Sequence, residues 1–363
     1  MYNIGILTFY DTTNYGALFQ MYALEKQIMK TNFQGEVSVI RYNCQEVERR
    51  EKISITNSKS LKELIKNCLL YKSNKEKHDK FKLFCKKNIK FSKNIYDSQK
   101  LDRLGKEYDA IIVGSDQVWN ATLTGNDFGF YLPDCYGIRK YSYAASFGNN
   151  SISLETREKI GNYLQDFRMV STREKDGTEI VKELGMPCKT VLDPTFFMSK
   201  DEWVEISEKC RVTKKYILMY LIQDRKKTFE YAKKIAKEKD YLIKYINISP
   251  RYEAGVENIR AASPSEFMGL LLNAELVITG SYHGVALSIN LQKDFICELN
   301  HGVVQFNSRI QNLLEELNLK ERIINYDNFY LDNINYESVN VKLEKLRMDS
   351  EVYLQSIVGD MYE

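Results

Sequence analysis

The chain has 363 residues, 44% of them apolar, which allows a large buried core and favours two or three domains. Its net charge of +3 carries no global nucleic-acid signature. Seven dispersed cysteines without a C-x-x-C pair, no window near the roughly 18 apolar residues of a membrane span, and no signal-peptide pattern lead to the expectation of a metal-free cytoplasmic protein with reduced thiols.

Ile4 to Phe9 reads as a buried strand, followed by the polar loop Tyr10 to Gly16 and a helix from Ala17 to Met29 with Leu18, Met21, Leu24 and Ile28 near one face. Val37 to Tyr42 is a second strand, giving the β-loop-α-β opening of a parallel sheet. Residues 45–105 are rich in lysine, with Leu61, Leu64, Ile65, Leu69, Phe81, Phe84 and Ile89 at roughly helical spacing. They are expected to form a basic helical insertion whose charge is either simply solvated or approaches anionic lipid or glycan. Strands are expected at Ala110 to Val113, at Lys140 to Phe147 and near Met169 to Arg173, with helices at Leu154 to Phe167 and Glu174 to Leu184. After Asp193-Pro194 a second set of strands begins: Tyr216 to Ile222, Tyr241 to Ile246, Leu276 to Ile278 and Phe295 to Cys297. Ser263-Pro264-Ser265-Glu266 is a capping box that starts a helix, and Tyr336 to Tyr362 has helical spacing. The resulting reading is α/β, with two Rossmann-like domains in a glycosyltransferase-B-like arrangement. The boundaries expected are 1–195, containing the 45–105 insertion; 196–335, carrying the donor site; and a terminal helix over 336–363.

The richest motif is Glu275 to Gly284, where the run Leu276 to Ile278 ends in Thr279-Gly280-Ser281 and leads through His283 and Gly284 into a helical pattern. Ligands of open α/β sheets bind at the carboxyl ends of strands, and a helix starting there offers unpaired N–H groups to an anion. His283, one of only three histidines, therefore stands at a candidate anion site, with the alternative that it braces the turn. Asn14 and Gly16, with Gln20 in the helix that follows, belong to a first strand-to-helix junction that suits an anion or a sugar or forms a plain turn. In Gly114-Ser115-Asp116-Gln117-Val118-Trp119, Ser115, Asp116 and Gln117 are candidates to bind sugar hydroxyls. Asp116 is also a candidate general base, and Trp119 either stacks on a sugar or fills the core. Arg173 and Arg309 each sit at a helix start, where a guanidinium suits a carboxylate or phosphate, or forms a salt bridge. His301 reads as peripheral and His78 as surface.

In their order, Asn14 to Gln20, Asp109 to Trp119, Tyr143 to Gly148, Ser171 to Glu174, Val191 to Thr195, Val277 to Gly284 and Asn307 to Ile310 resemble the polysaccharide pyruvyl transferase family. The resemblance implies two Rossmann-like domains, no cofactor, phosphoenolpyruvate as co-substrate, and transfer of pyruvate as a ketal onto two hydroxyls of a glycan sugar. It implies that His283 matches the active-site histidine and Arg173 a donor-site arginine. Ser281 stands where some members carry arginine, so donor anchoring falls to Arg173, Arg309, backbone amides (Gly284 among them) or a lysine. The implied partners are phosphoenolpyruvate and a saccharide acceptor, lipid-linked where the basic insertion meets the inner face of a membrane, in the biosynthesis of a cell-surface glycan. The chemistry needs a proton donor, a base and positive charge, and an imidazole, which titrates at about 6.5 when unperturbed, can take either proton role. Competing readings are a nucleotide-sugar-dependent glycosyltransferase of similar architecture and a non-catalytic sugar-binding relative.

Overall fold

The computed structural model describes residues 2–31, 33–52, 60–148, 152–210, 212–222, 226–299, 307–326 and 332–362. The first half runs β1 (Tyr2–Leu7), α1 (Tyr15–Lys30), β2 (Gly35–Tyr42), α2 (Gln45–Glu51), α3 (Leu61–Asn88), β3 (Phe91–Tyr96), β4 (Ala110–Val113), α4 (Ala121–Thr124), β5 (Arg139–Ser142), α5 (Leu154–Leu164), β6 (Phe167–Thr172), α6 (Lys175–Glu183) and β7 (Cys188–Thr190). The second runs α7 (Lys200–Ile206), β8 (Tyr216–Tyr220), α8 (Lys226–Lys239), β9 (Leu242–Ile246), β10 (Glu257–Ile259), α9 (Pro264–Leu272), β11 (Leu276–Thr279), α10 (Tyr282–Asn290), β12 (Asp294–Cys297), α11 (Ser308–Glu316) and α12 (Tyr336–Asp360).

Among the described residues the strands form two sheets, ordered β3-β2-β1-β4-β5-β6-β7 and β10-β9-β8-β11-β12. All their pairings are parallel. Helices cover both faces of such sheets, so inner strands are continuous apolar runs, as in the wholly buried Ala110-Ile-Ile-Val113. This is the α/β, glycosyltransferase-B-like class read from the sequence. The capping box of α9 forms as expected: Glu266 N–H donates to Ser263 Oγ at 2.9 Å and Ser263 N–H to Glu266 Oε2 at 2.5 Å.

Strands β3 and β10 escape the sequence reading, and each is an outer strand of its sheet. β3 lies inside the region expected to be wholly helical and pairs with β2; β10 pairs with β9. Edge strands carry polar residues, and Lys93, Asn94 and Ile95 of β3 are exposed, so the apolar signal is missing. Residues 53–59 of the same region lie outside the described residues. The strand expected through Phe147 stops at Ser142, beyond which Ala145 keeps only single bridges to Asp116 and Thr172. The helix expected to reach Phe167 ends at Leu164, and Phe167 opens β6.

Two helices join the halves. The first turn of α1 faces the second half: Tyr15 stacks on Phe267 at 4.2 Å between ring centroids and donates its hydroxyl to Ala262 O at 2.7 Å. α12 starts beside β12, where Tyr336 Oη donates to Lys293 O at 2.6 Å, and ends on the first sheet, where Tyr353 Oη donates to Ser142 O at 3.2 Å.

Candidate functional site

Between the carboxyl ends of the two sheets lies a buried cluster of charge built by both halves. β11 ends at Thr279, and Ser281 caps α10, its Oγ accepting from Gly284 N–H at 3.4 Å. Gly284 packs so closely on Thr279 that a side chain there would overlap the Thr279 hydroxyl. This turn places His283 in the first turn of α10, 6% exposed. Its Nε2 lies 3.2 Å from Asp193 Oδ2. The first half meets it with the start of α1: a Cβ on Gly16 would overlap the His283 ring at Nδ1. Glycine is therefore what lets the N-terminus of α1 rest on the imidazole.

Arg173, at the end of β6, crosses the cluster with a fully buried side chain. Its Nη1 donates to Asp193 Oδ2 at 2.8 Å, and its Nη2 to Asp116 Oδ1 at 3.3 Å. Arg173 Nη1 also stands 3.3 Å from His283 Nε2. Nε2 thus stands between the Asp193 carboxylate, to which it donates when protonated, and the Arg173 guanidinium, from which it accepts when not, while Nδ1 faces Gly16. Burial disfavours the Asp193 carboxylate, but His283 and Arg173 outweigh it and hold its pKa well below the usual range. Burial likewise opposes the Arg173 charge, and Asp193 and Asp116 overcome it, so the guanidinium is locked charged.

Tyr282 lies beside two guanidinium groups, with Arg173 at 4.4 Å and Arg309 at 6.0 Å from its ring centroid. The Nε atoms of both arginines are enclosed without a partner. Among the described residues no carboxylate forms an ion pair with Arg309, and burial, then Arg173, lowers its pKa. Glu174 is the remaining acid. Its Oε1 accepts from Ser146 Oγ at 2.8 Å and Phe147 N–H at 3.1 Å, while its Oε2 is enclosed and unpartnered. Burial raises its pKa against the pull of Arg173 and Arg309. Helices α1, α6, α10 and α11 all begin at these residues, so their positive ends converge on the cluster.

The structure thus brings together His283, Asp116, Arg173, Gly16, Ser281, Gly284 and Arg309. Ser115 joins through its Oγ, 3.4 Å from Asp193 Oδ2. Four candidates stand apart. Trp119 is core: it is 2% exposed, stacks on Tyr131 at 5.4 Å and donates Nε1–H to Phe130 O at 3.2 Å, so no ring face is open to a sugar. Gln20 is buried and donates to Thr8 Oγ1 and Ala17 O. Asn14 caps α1, its Oδ1 accepting from Gly16 N–H at 2.9 Å. Gln117 accepts from Asn120 Nδ2 at 2.9 Å and packs against Gly148. His301 lies outside the described residues. Asp193 was not among the site residues expected, although it joins Arg173 to His283. Its signal was Asp-Pro at the end of a strand, where a carboxylate caps the following turn; Asp193 Oδ1 does accept from Thr195 N–H at 3.0 Å.

The model of the polysaccharide pyruvyl transferase family matches residues 14–302. No curated protein matches the sequence. Among solved structures, an S. aureus MnaA–UDP co-structure aligns with a TM-score of 0.51 at 13% identity, covering 98% of this chain and 90% of that one, and shares the fold. A UDP-GlcNAc 2-epimerase from Neisseria meningitidis bound to UDP-GlcNAc aligns at 0.47 and 11% identity, covering 99% and 94%. The E. coli ADP-heptose lps heptosyltransferase II aligns at 0.40 and 11% identity, covering 97% and 100%.

Proposed function

The chain belongs to the polysaccharide pyruvyl transferase family, a transferase acting on polysaccharide, and from that premise we propose that it moves pyruvate from phosphoenolpyruvate onto two hydroxyls of one glycan sugar as a ketal. The observation that carries this reading is Arg309, a guanidinium without an ion-pair partner among the described residues, which shares the Tyr282 ring with Arg173 where four helix N-termini converge. A donor with both a carboxylate and a phosphate offers two anionic groups to that guanidinium and to the helix N-termini.

In the proposed reaction, a proton is added to the methylene carbon of phosphoenolpyruvate and the adjacent carbon becomes electrophilic. A sugar hydroxyl forms the new C–O bond there and gives up its proton to a base. The C–O bond to phosphate then breaks, phosphate leaves with the electron pair, and the second hydroxyl closes the ketal with loss of its own proton. His283 serves as proton carrier, with Asp193 at 3.2 Å from Nε2 fixing the ring. Asp116, bound to Arg173, is assigned to charge balance rather than to the base role expected for it. We further propose a lipid-linked acceptor met at the inner face of a membrane. α3 carries nine lysines against three acids, a net +6, while the whole chain is +3 and the remainder therefore −3. No helix among the described residues is long and apolar enough to cross a membrane.

The test follows phosphate release from phosphoenolpyruvate with candidate glycans, together with a mass gain of one pyruvyl group on the acceptor. Hexose transfer from a nucleotide sugar with phosphoenolpyruvate inert would select the glycosyltransferase reading instead. Sugar binding without any turnover would select the non-catalytic one.

A further inference from the structure

The face of α3 that turns toward the second half does not close on it. Lys80 bridges the two, its Nζ donating to Ala261 O at 2.9 Å and pairing with Glu266 at 3.1 Å and Glu76 at 3.2 Å. Beside this bridge an open groove of about 450 Å³ runs between α3 and the segment leading from β9 into α9. That volume lies within the ~300–1,000 Å³ range of small-molecule sites. Leu69, Lys72 and Glu76 line one wall, and Tyr252, Asn258 and Arg260 the other.

Tyr252 is 70% exposed, with the Arg260 guanidinium over its ring. The segment that carries it is nevertheless fixed. Asn258 Oδ1 accepts from Asn247 Nδ2 at 2.6 Å and from Glu253 N–H at 3.1 Å, while its Nδ2 donates to Glu253 O at 2.9 Å and Val256 O at 3.1 Å. Every hydrogen-bonding position of that amide is spent on holding the turn. Arg260 lies 4.0 Å from the Tyr252 ring centroid and donates Nη2–H to Pro250 O at 2.6 Å, and its Nε is enclosed without a partner. Both acids in the groove, Glu76 and Glu266, are engaged by Lys80. Among the described residues neither Lys72 nor Arg260 has an ion-pair partner, so the groove presents a preset aromatic plane beside two uncompensated cations.

We propose that this groove binds an anionic segment of the acceptor glycan, with Tyr252 as the platform for a sugar ring and Arg260 and Lys72 as the contacts for its negative group. The ring supplies apolar area for the C–H face of a sugar, and the free cations select a charged chain over a neutral one. The groove also lies close to the site. Its lining residue Ala262 accepts the hydroxyl of Tyr15, and the next residue, Gly16, touches His283, so Tyr15 links the groove to the site. That the bound chain is an acceptor rests on the pyruvyl transfer reading; that the groove binds an anionic glycan does not.

Binding is measured on the full chain without phosphoenolpyruvate, using mannopentaose, its 6-phosphate, and tetragalacturonate. The 6-phosphate, tetragalacturonate or both should bind about tenfold or more tightly than the neutral pentaose, and whichever is tighter identifies phosphate or uronate as the preferred anion. Arg260→Gln and Tyr252→Ala should each weaken that binding by about tenfold while leaving phosphoenolpyruvate affinity unchanged. Arg309→Gln should do the reverse. Equal binding of neutral and charged chains, no binding of either charged chain, or charged-chain binding untouched by both groove substitutions would overturn the proposal. Failure of the donor reading would show separately, as absent phosphoenolpyruvate binding with the groove results intact.

Discussion

The buried centre and the α3 arm carry charge in opposite ways. In the centre, Arg173, Asp193, Asp116 and His283 are all at least nine-tenths buried, and each ionised group touches another. Along α3, Lys66, Lys75, Lys82 and Lys86 are exposed, and no carboxylate pairs with them among the described residues. The arm dominates the composition, yet its lysines face water, where charge is inexpensive. The few charges of the centre are invisible in the composition but are held in a setting where each depends on its neighbours. The lesson is that interaction strength follows burial and geometry rather than the number of charges. A substitution in the centre should therefore cost far more than one in the arm.

The largest expected effect is on chemistry. His283→Gln should retain the fold and much of the donor affinity, while turnover falls by about 10²–10⁴-fold, the usual range for a lost general acid or base. Unfolding midpoint, donor affinity and phosphate release measured on one preparation would check this. A folded variant with near-normal turnover would remove His283 from catalysis and weaken the contrast between the two regions.

Arg173 comes next. The sequence offers it as a donor-site arginine or a salt bridge, and the structure ties it to two buried carboxylates. Arg173→Met should leave Asp193 and Asp116 uncompensated and destabilise the chain by about 3–5 kcal/mol in denaturant unfolding. Arg173→Lys keeps one charge but loses the fork, so it should lie between the two. If Arg173→Met unfolds at the wild-type midpoint, the centre is not interdependent.

These two residues also show how far the sequence could be read. His283 and Arg173 sit at a strand end followed by a helix start, a pattern visible in the chain, and both fall in the site. Trp119 has the same address but points inward, because residues at a strand end alternate between cleft and core and no motif states the direction. Trp119→Phe should accordingly cost about 1–2 kcal/mol of stability through the lost Nε1–H bond and volume, with Michaelis constants unchanged. Asp193 was missed for a different reason: its partners Arg173 and His283 lie 20 and 90 residues away along the chain, and only the fold brings them together. The edge strands were missed because a solvated edge has no apolar run to betray it.

Lys77 lies on α3 yet belongs to the interior, and so tests the boundary between the regions. Its Nζ rests 4.4 Å from the ring centroid of Tyr15, and burial lowers its pKa to about 8 against a smaller upward pull from Glu51. Below that pH the folded state holds a charge that water would hold more cheaply. Between about 8 and the ordinary lysine value near 10.4, the unfolded chain binds the extra proton, so this group makes stability rise with pH. Lys77→Met should remove that contribution. Thermal midpoints from pH 7 to 10 for both proteins would show it as a difference curve, and an unchanged difference across that window would return Lys77 to the solvated arm.

The smallest effect on folding is expected for the exposed face itself. Lys75→Gln and Lys82→Gln remove two charges with no described partner, so together they should shift stability by less than about 0.5 kcal/mol. Turnover on a soluble acceptor should be unchanged, because neither residue reaches the cluster. Their weight would appear at a membrane. Each lysine near an anionic leaflet contributes about 1 kcal/mol, so the double substitution should weaken binding to phosphatidylserine vesicles by roughly 10–30-fold at low ionic strength, with the difference shrinking as salt is added. Wild-type protein that ignores such vesicles even at low salt would end the membrane proposal and leave α3 as a solvated wall of the groove. Binding that is strong but indifferent to these lysines would move the contact to the exposed Leu61, Ile65 and Leu69, which lie four residues apart along the same helix.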